Sequence, residues 1–289
     1  MEKKKNDFIA QGSILAVASI LVRVMGMIYR IPMTAIIGDK GNGFYSYAYS
    51  VYTILLLLSS YSLPLAVSKM VSAKAQLGQW RNVKRVFICA IAFAIGIGTT
   101  FGLIVLIGAQ FFTRVFFHSE LAAIALRFMA PTILIMALLG VFRGFFQGLQ
   151  NTLPTAVSQI VEGLINAIMS VVFAYFLFDF GHGMDAASGT TDLGYAWGAA
   201  GGAIGTGAGA LAGLIFCFIL FVAYRKILAV NISRDKTGTQ QEYGDIFRLM
   251  LSIALPVILS TALYNLIELV DGSLFNNIMA SKGMEDVKD

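Results

Sequence analysis

Residues 8–37 read FIAQGSILAVASILVRVMGMIYRIPMTAII, an apolar run that is long enough to cross a membrane as one helix and that contains Arg23 and Arg30. At about 100° and 1.5 Å per residue, one narrow stripe of this helix holds Gly12, Ser19, Arg23, Gly26 and Arg30, with the two arginines about 10 Å apart. An arginine near the bilayer centre costs at least about 2.5 to 3.5 kcal/mol on insertion scales, so it normally faces a bundle interior or a water-filled cavity. We therefore predict that this helix forms one wall of a polar site.

Each arginine has a second interpretation. Arg30 precedes the Ile31-Pro32 break and could snorkel to the outer interface as an anchor. Arg23 lies about 22 Å from the start of the helix and would have further to reach. The site interpretation is therefore stronger for Arg23 than for Arg30.

Composition restricts the fold class to an α-helical membrane protein. The 289 residues are 57% hydrophobic and 13% charged, with a mean hydropathy of +0.77, which excludes an ordinary soluble domain. A membrane β-barrel would alternate over segments of about ten residues, whereas these apolar runs are continuous over about twenty. The net charge of +5 comes from basic residues in loops between spans, so no nucleic-acid partner is indicated. We predict an all-α, polytopic membrane protein.

The apolar runs predict about seven transmembrane helices in two unequal parts. The predicted spans are about 8–37, 44–67, 86–111, 121–146, 155–178 and 194–223, with a seventh that begins near Ile246. The six-helix N-lobe takes residues 1–224, a cytoplasmic inter-lobe linker takes 225–245, and residues 246–289 form the first helix of a truncated second lobe. A turn is predicted at 38–43. Fourteen Lys and Arg residues fall in segments on the side of the N-terminus and five on the other side, which predicts a cytoplasmic N-terminus.

A polar stripe crosses the fifth span, where Gln159, Glu162 and Asn166 follow one another at helical spacings. Glu162 lies about two turns inside the membrane and needs a partner, for which Arg23 is the expected residue. The alternative is that Glu162 is protonated or forms a structural hydrogen bond between helices. Near the far end of the seventh span, Glu268 and Asp271 are candidates for gating or coupling.

The remaining motifs indicate packing and transport instead of catalysis. Repeated small residues in the sixth span, from Gly198 to Gly213, predict close helix packing, with a flexible gating helix as the alternative. No metal-binding, nucleophile or nucleotide motif is present in the sequence, so we expect no enzyme activity, no metal and no cofactor. Any work would draw on a coupling ion or on the membrane potential.

Four segments resemble a known family. They are Ser19–Gly26 (SILVRVMG), Tyr29–Pro32 (YRIP), Arg143–Gly148 (RGFFQG) and Pro154–Glu162 (PTAVSQIVE). They are similar to the MATE-like multidrug/oligosaccharidyl-lipid/polysaccharide exporter superfamily, and within it to the polysaccharide biosynthesis branch of stage V sporulation protein B and MurJ-like lipid II flippases. The resemblance covers the whole chain, but the chain covers only about half of such a protein.

The resemblance implies a flippase of the bacterial cytoplasmic membrane that works by alternating access. In this family a cavity between two lobes accepts a lipid-linked anionic saccharide precursor of the peptidoglycan type, and arginines of the cavity hold the diphosphate. The resemblance gives this role to Arg23 and Arg30. Arg30 fits the sporulation-type pattern and is displaced by one position from the MurJ-like spacing. Glu162, Gln159 and Asn166 complete the expected site, and the missing second lobe and membrane lipids are the expected partners.

Three other functions stay open at this stage. The chain could export another cargo with the same fold, such as a teichoic acid or O-antigen unit, or a drug in exchange for cations. A drug exporter should prefer carboxylates within the membrane, whereas the first helix offers arginines. An intramembrane enzyme would need a clustered His, Ser or Asp site, and a non-transporting sporulation protein would tolerate the loss of Arg23.

Overall fold

The computed structural model describes the backbone of residues 2–60, 62–189 and 191–281 and most side chains between residues 12 and 261. The described chain contains seven helices and no strand, and their bounds are α1 (Glu2–Ser59), α2 (Leu63–Gln76), α3 (Trp80–Phe117), α4 (Ala122–Gly148), α5 (Leu153–Ser188), α6 (Leu193–Ser233) and α7 (Tyr243–Ser281). The predicted all-α class is confirmed. Over the described residues, six helical stretches are long and apolar enough to cross a membrane.

Helix α1 is two helical arms joined at Gly38. The backbone of Gly38 has φ 64° and ψ −179°, a conformation that is essentially restricted to glycine. Residues on both sides of this break pack against Gly202, because a methyl group on Gly202 would lie 2.5 Å from Met33 Cε and 3.1 Å from Tyr45 Cδ2. Residues 2–37, the outgoing arm, and residues 39–59, the return arm, therefore both contact α6 near the break. The prediction of a turn over 38–43 was wrong, since the helix resumes directly after one glycine.

The first apolar stretch, Gly12–Gln76, thus holds both arms and α2, and its 65 residues far exceed the roughly 20 that one crossing needs. The predicted second span, 44–67, is interrupted where the return arm ends at Ser59 and α2 begins at Leu63. Pro64 lies in the first turn of α2, where its missing N–H breaks no helical hydrogen bond. Pro64 therefore starts a helix, whereas the sequence had placed it inside a span.

Helices α5 and α6 approach closely along a glycine stripe, which confirms the predicted packing role of these glycines. A methyl group on Gly201 would collide with the backbone of Phe173, and one on Gly205 with the backbone and hydroxyl of Ser170. At Gly209 the carbonyl oxygen of Glu162 would lie only 2.5 Å from such a methyl group. The small residues let the two backbones meet directly and fix the position of Glu162 along α6.

An aromatic cluster holds the C-terminal end of α4 against its neighbours. Phe87 of α3 packs on Phe142 and Phe145 of α4 with ring centroids 5.4 and 5.0 Å apart, and on Phe221 of α6 at 4.5 Å. Phe142 and Phe145 are buried on this side of α4. Their burial orients α4 so that Arg143, between them in sequence, points away from the cluster toward α5.

The segment between α6 and α7 is docked onto the start of α3. Because α6 continues to Ser233 and α7 begins at Tyr243, the non-helical link is residues 234–242, shorter than the predicted linker. The side chain of Asn82, which is fully buried, donates to the Thr239 carbonyl (3.1 Å) and accepts from the Gln241 N–H (3.0 Å). The Arg85 guanidinium donates to the Gln241 carbonyl at 2.6 Å. The link is thereby fixed to the lobe.

Asp235, in the link between α6 and α7, completes this docking by capping the N-terminal end of α3. Its Oδ2 accepts the backbone N–H of Arg81 at 2.9 Å, and its Oδ1 accepts the N–H and hydroxyl of Thr237 at 3.0 and 2.6 Å. These hydrogen bonds lower the pKa of the Asp235 carboxyl to about 2, and the bond from the Arg81 N–H contributes most to the shift. The charged carboxylate therefore holds the link in place at neutral pH.

Candidate functional site

An ion pair joins α4 and α5. Arg143 Nη2 lies 2.7 Å from Glu162 Oε2, and Arg143 Nε donates to the Ser158 hydroxyl at 2.9 Å. The Ser158 hydroxyl in turn donates to the Thr155 carbonyl at 2.8 Å. The Arg143 and Glu162 side chains are only 11% and 24% exposed, so both charges are largely removed from solvent and neutralise each other.

The expectation that Arg23 pairs with Glu162 was therefore wrong. The outgoing arm contacts α5 through Val22 and Met25, which a methyl group on Gly163 would meet at 3.3 and 3.1 Å. Arg23 follows Val22 and is turned about 100° away from that contact, onto the exposed side. Arg143 had entered the sequence analysis only as part of a motif and as a basic residue near a loop.

The narrow stripe of Gly12, Ser19, Arg23, Gly26 and Arg30, the arginine stripe, lies on an exposed face of the outgoing arm. The packed face of this arm comprises Ala18, Val22, Met25, Tyr29 and Met33, all buried or half-buried. The stripe is about 100° around the helix from that face. Arg23 and Arg30 are both exposed, and neither forms an ion pair with a residue that the structure describes. The outgoing arm thus presents, inside a hydrophobic span, two cations that have no counter-ion among the described residues.

The other members of the polar stripe on α5 have separate surroundings. Asn166 Oδ1 accepts the Ser170 hydroxyl at 2.8 Å, next to the glycine stripe of α6. The Oε1 atom of Gln159 is buried and has no hydrogen-bond partner among the described residues. The structure therefore brings Glu162 together with Arg143, places Asn166 at the α5–α6 contact and leaves Gln159 unsatisfied.

A cavity of about 460 Å³ adjoins Arg143 and Gln159. It lies between the end of the return arm, α2, α4 and α5, and Val257 of α7 closes one side. Its lining comprises Leu56, Ser60, Pro64, Leu65, Met136, Gly140, Arg143, Gln147, Thr155, Gln159 and Val257. The single charged group of this lining is Arg143, whose charge Glu162 compensates. The cavity is therefore nearly neutral, with a few polar groups on a mostly apolar surface.

The two acidic candidates of the seventh span cannot be placed in this site. The backbone of α7 is helical through Ser281, as the sequence predicted for this segment. The side chains of Glu268 and Asp271 lie outside the described residues. Their gating or coupling role stays a prediction.

Comparisons with known proteins match almost the whole chain. The profile of the family described as polysaccharide biosynthesis protein matches residues 8–284. Stage V sporulation protein B of Bacillus subtilis is 26% identical over 91% of this chain and 48% of its own length. Lipid II flippase MurJ of the same organism is 26% identical over 95% of this chain and 50% of its own length. The chain thus spans about half the length of the curated relatives it matches.

Two solved structures share the fold. A MOP superfamily transporter from Pyrococcus furiosus has a TM-score of 0.59 at 16% identity, over 86% of this chain and 51% of that one. A MATE protein in complex with MaD3S has a TM-score of 0.61 at 15% identity, over 86% and 52% of the two chains. With the apolar helices described above, these matches make the chain a multi-pass bacterial membrane protein.

Proposed function

The chain belongs to the polysaccharide biosynthesis protein family of the MOP exporter superfamily, and from this we propose that it forms one half of a lipid flippase. The cargo is a lipid-linked, anionic saccharide precursor of the lipid II type. The flippase moves it across the cytoplasmic membrane by alternating access, with the N-terminus of this chain in the cytoplasm. A second lobe, together with membrane lipids, completes the cargo cavity.

The arginine stripe is the observation that carries this proposal. Arg23 and Arg30 are exposed on one face inside the membrane, about 10 Å apart, without a carboxylate partner among the described residues. Such cations are stable only if water or an anion reaches them. A guanidinium binds phosphate oxygens with two parallel hydrogen bonds, so a diphosphate suits this pair of side chains.

The charge balance of the lobe also separates the candidate cargoes. A cation-coupled drug exporter of the same fold is the second candidate, and it would use an available carboxylate within the membrane. The Glu162 carboxylate is neutralised by Arg143 at 2.7 Å, whereas Arg23 and Arg30 have no such counter-ion among the described residues. The described part of the site therefore favours an anion over a cation.

We expect transport to be driven by a coupling ion or by the membrane potential, without a cofactor and without enzyme activity. Moving one elementary charge through 100 mV supplies about 2.3 kcal/mol, which is enough to bias a conformational cycle. Glu268 and Asp271 are the residues that we propose for gating or coupling in α7.

The test is binding of a lipid-linked diphosphate saccharide to the chain in nanodiscs. Loss of one charge-assisted contact is worth about 1.5 to 3 kcal/mol, so Arg23→Ala should bind about 10- to 150-fold more weakly. Arg225→Ala, at an exposed position near the end of α6, is the matched control and should bind like the original. Binding should also weaken as salt rises. Unchanged affinity in Arg23→Ala, or equal loss in both variants, would refute the proposal.

A further inference from the structure

We propose that the cavity between α2, α4 and α5 binds the uncharged sugar unit of the precursor, while the arginine stripe binds its diphosphate. This inference rests on the proposed function. It assigns Gln159 and Gln147 as the side chains that hydrogen-bond the sugar. Gln159 already belongs to the site expected from the sequence, whereas Gln147 and the cavity itself emerge only from the structure.

The charge of the cavity favours a neutral ligand. Its guanidinium, that of Arg143, is already engaged by Glu162 at 2.7 Å and by Ser158 at 2.9 Å. An anion would have to displace Glu162 and leave that carboxylate buried without its cation, which is costly in a largely buried site. Hydroxyls and amides of a sugar need no such exchange.

The lining offers hydrogen bonds that the lobe does not use. Gln159 lines the cavity, and its buried Oε1 has no partner within the described residues, although buried polar groups are nearly always paired. Gln147 Nε2 makes only a long bond of 3.3 Å to Thr155 Oγ1. A sugar hydroxyl or acetamido N–H donating to Gln159 would satisfy the orphaned oxygen. The apolar side chains of the lining suit the C–H faces of a sugar ring.

The cavity lies close to the level of Arg23 along α5. Gln159 precedes Gly163 by one helical turn, about 6 Å along the same face of α5. Gly163 is where Val22 and Met25 of the outgoing arm contact α5, at the level of Arg23. The cavity volume of about 460 Å³ lies within the usual range of small-molecule sites, about 300 to 1,000 Å³.

The experiment compares two probes on the full chain in nanodiscs: a polyprenyl diphosphate that bears one N-acetylhexosamine, and the same lipid without the sugar. The variants Gln159→Leu and Gln147→Leu should each bind the sugar-bearing probe about 3- to 10-fold more weakly and the sugarless probe equally well. Thr53→Val is the control, because it also removes a buried hydroxyl but Thr53 does not line the cavity. It should leave both affinities unchanged.

Thermal unfolding of the same variants separates a binding role from a structural one. Gln159→Leu removes an unsatisfied buried oxygen, so its unfolding temperature should stay equal or rise while sugar-dependent affinity falls. Equal binding of the two probes by the original chain, or equal losses for both probes in the Gln159 and Gln147 variants, would overturn the sugar subsite and leave the flippase proposal standing. Failure of both probes to bind the original chain would overturn the flippase proposal and the subsite with it.

Discussion

Replacement of Arg143 by methionine tests whether the buried ion pair holds α4 and α5 together. At 2.7 Å and an effective dielectric constant of 20, the gross attraction between the two charges is about 6 kcal/mol, most of which offsets their desolvation. Removing one partner leaves the Glu162 carboxylate buried without its cation, and such losses are about 3 to 5 kcal/mol. The double variant Arg143→Met with Glu162→Gln removes both charges and should recover at least about 2 kcal/mol of this loss.

The assay is thermal unfolding of the purified chain in detergent. For a chain of this size 1 kcal/mol corresponds to about 2 to 4 °C, so Arg143→Met should unfold about 6 to 20 °C below the original. The control is Arg114→Met, which breaks an exposed pair with Glu120 at 3.6 Å, where the side chains are 71% and 57% exposed. That exposed pair should contribute under about 1 kcal/mol.

Two results would refute this account of the pair. The first is an Arg143→Met variant that loses no more stability than Arg114→Met, which would mean that water or another group compensates Glu162. The second is a double variant as unstable as Arg143→Met alone, because the loss would then come from packing of the arginine stem and not from the stranded charge.

Two further predictions concern the α5–α6 contact and the docked link. Gly205→Ala forces a methyl group into the backbone of Ser170 and should lower the free energy of unfolding by at least about 1 to 3 kcal/mol, as measured by thermal unfolding. Gly96→Ala is the control, because Gly96 has open space around it, and it should be neutral or slightly stabilising. Similar losses of stability in both variants would contradict the packing role. The pKa of Asp235 is lowered to about 2, so its carboxylate stabilises the docked link above about pH 4, and this contribution is lost as the pH falls through about 2. Amide hydrogen exchange of the link, corrected for intrinsic rates, should therefore accelerate as the pH falls from about 4 to about 2. At neutral pH Asp235→Ala should speed trypsin cleavage after Lys236, and unchanged cleavage would argue against the docking role.

Much of the fold follows from local properties of the sequence. Each membrane span satisfies its own backbone hydrogen bonds, so an apolar run of about twenty residues specifies a helix without reference to the rest of the chain. For this reason the predicted spans from 86–111 to 194–223 each match one observed helix, with only Leu121 of 121–146 lying outside, one residue before α4. The interruptions were harder to predict, because Gly38 breaks α1 by a single backbone conformation, and Pro64 opens α2 after α1 has ended at Ser59.

The polar site shows the limit of sequence reasoning. The sequence correctly marked Glu162 as a buried charge that needs a partner, since its position in an apolar span is enough for that conclusion. It could not identify Arg143, which is 19 residues away on another helix and was counted among the basic residues near loops. The signal that could have found it is its place near the end of the helix that the short 149–152 connection places next to α5.

By itself, the sequence determined the membrane class, the helical content, the arginine stripe and the need for close packing at the glycines of α6, because hydropathy, periodicity and side-chain size are local quantities. Only the tertiary structure decided which charges meet, where the cavity lies and how the link is docked. Those features depend on the rotation of each helix about its axis and on which helices adjoin. Packing of Val22 and Met25 against α5 turns Arg23 outward, and packing of Phe142 and Phe145 turns Arg143 inward to Glu162.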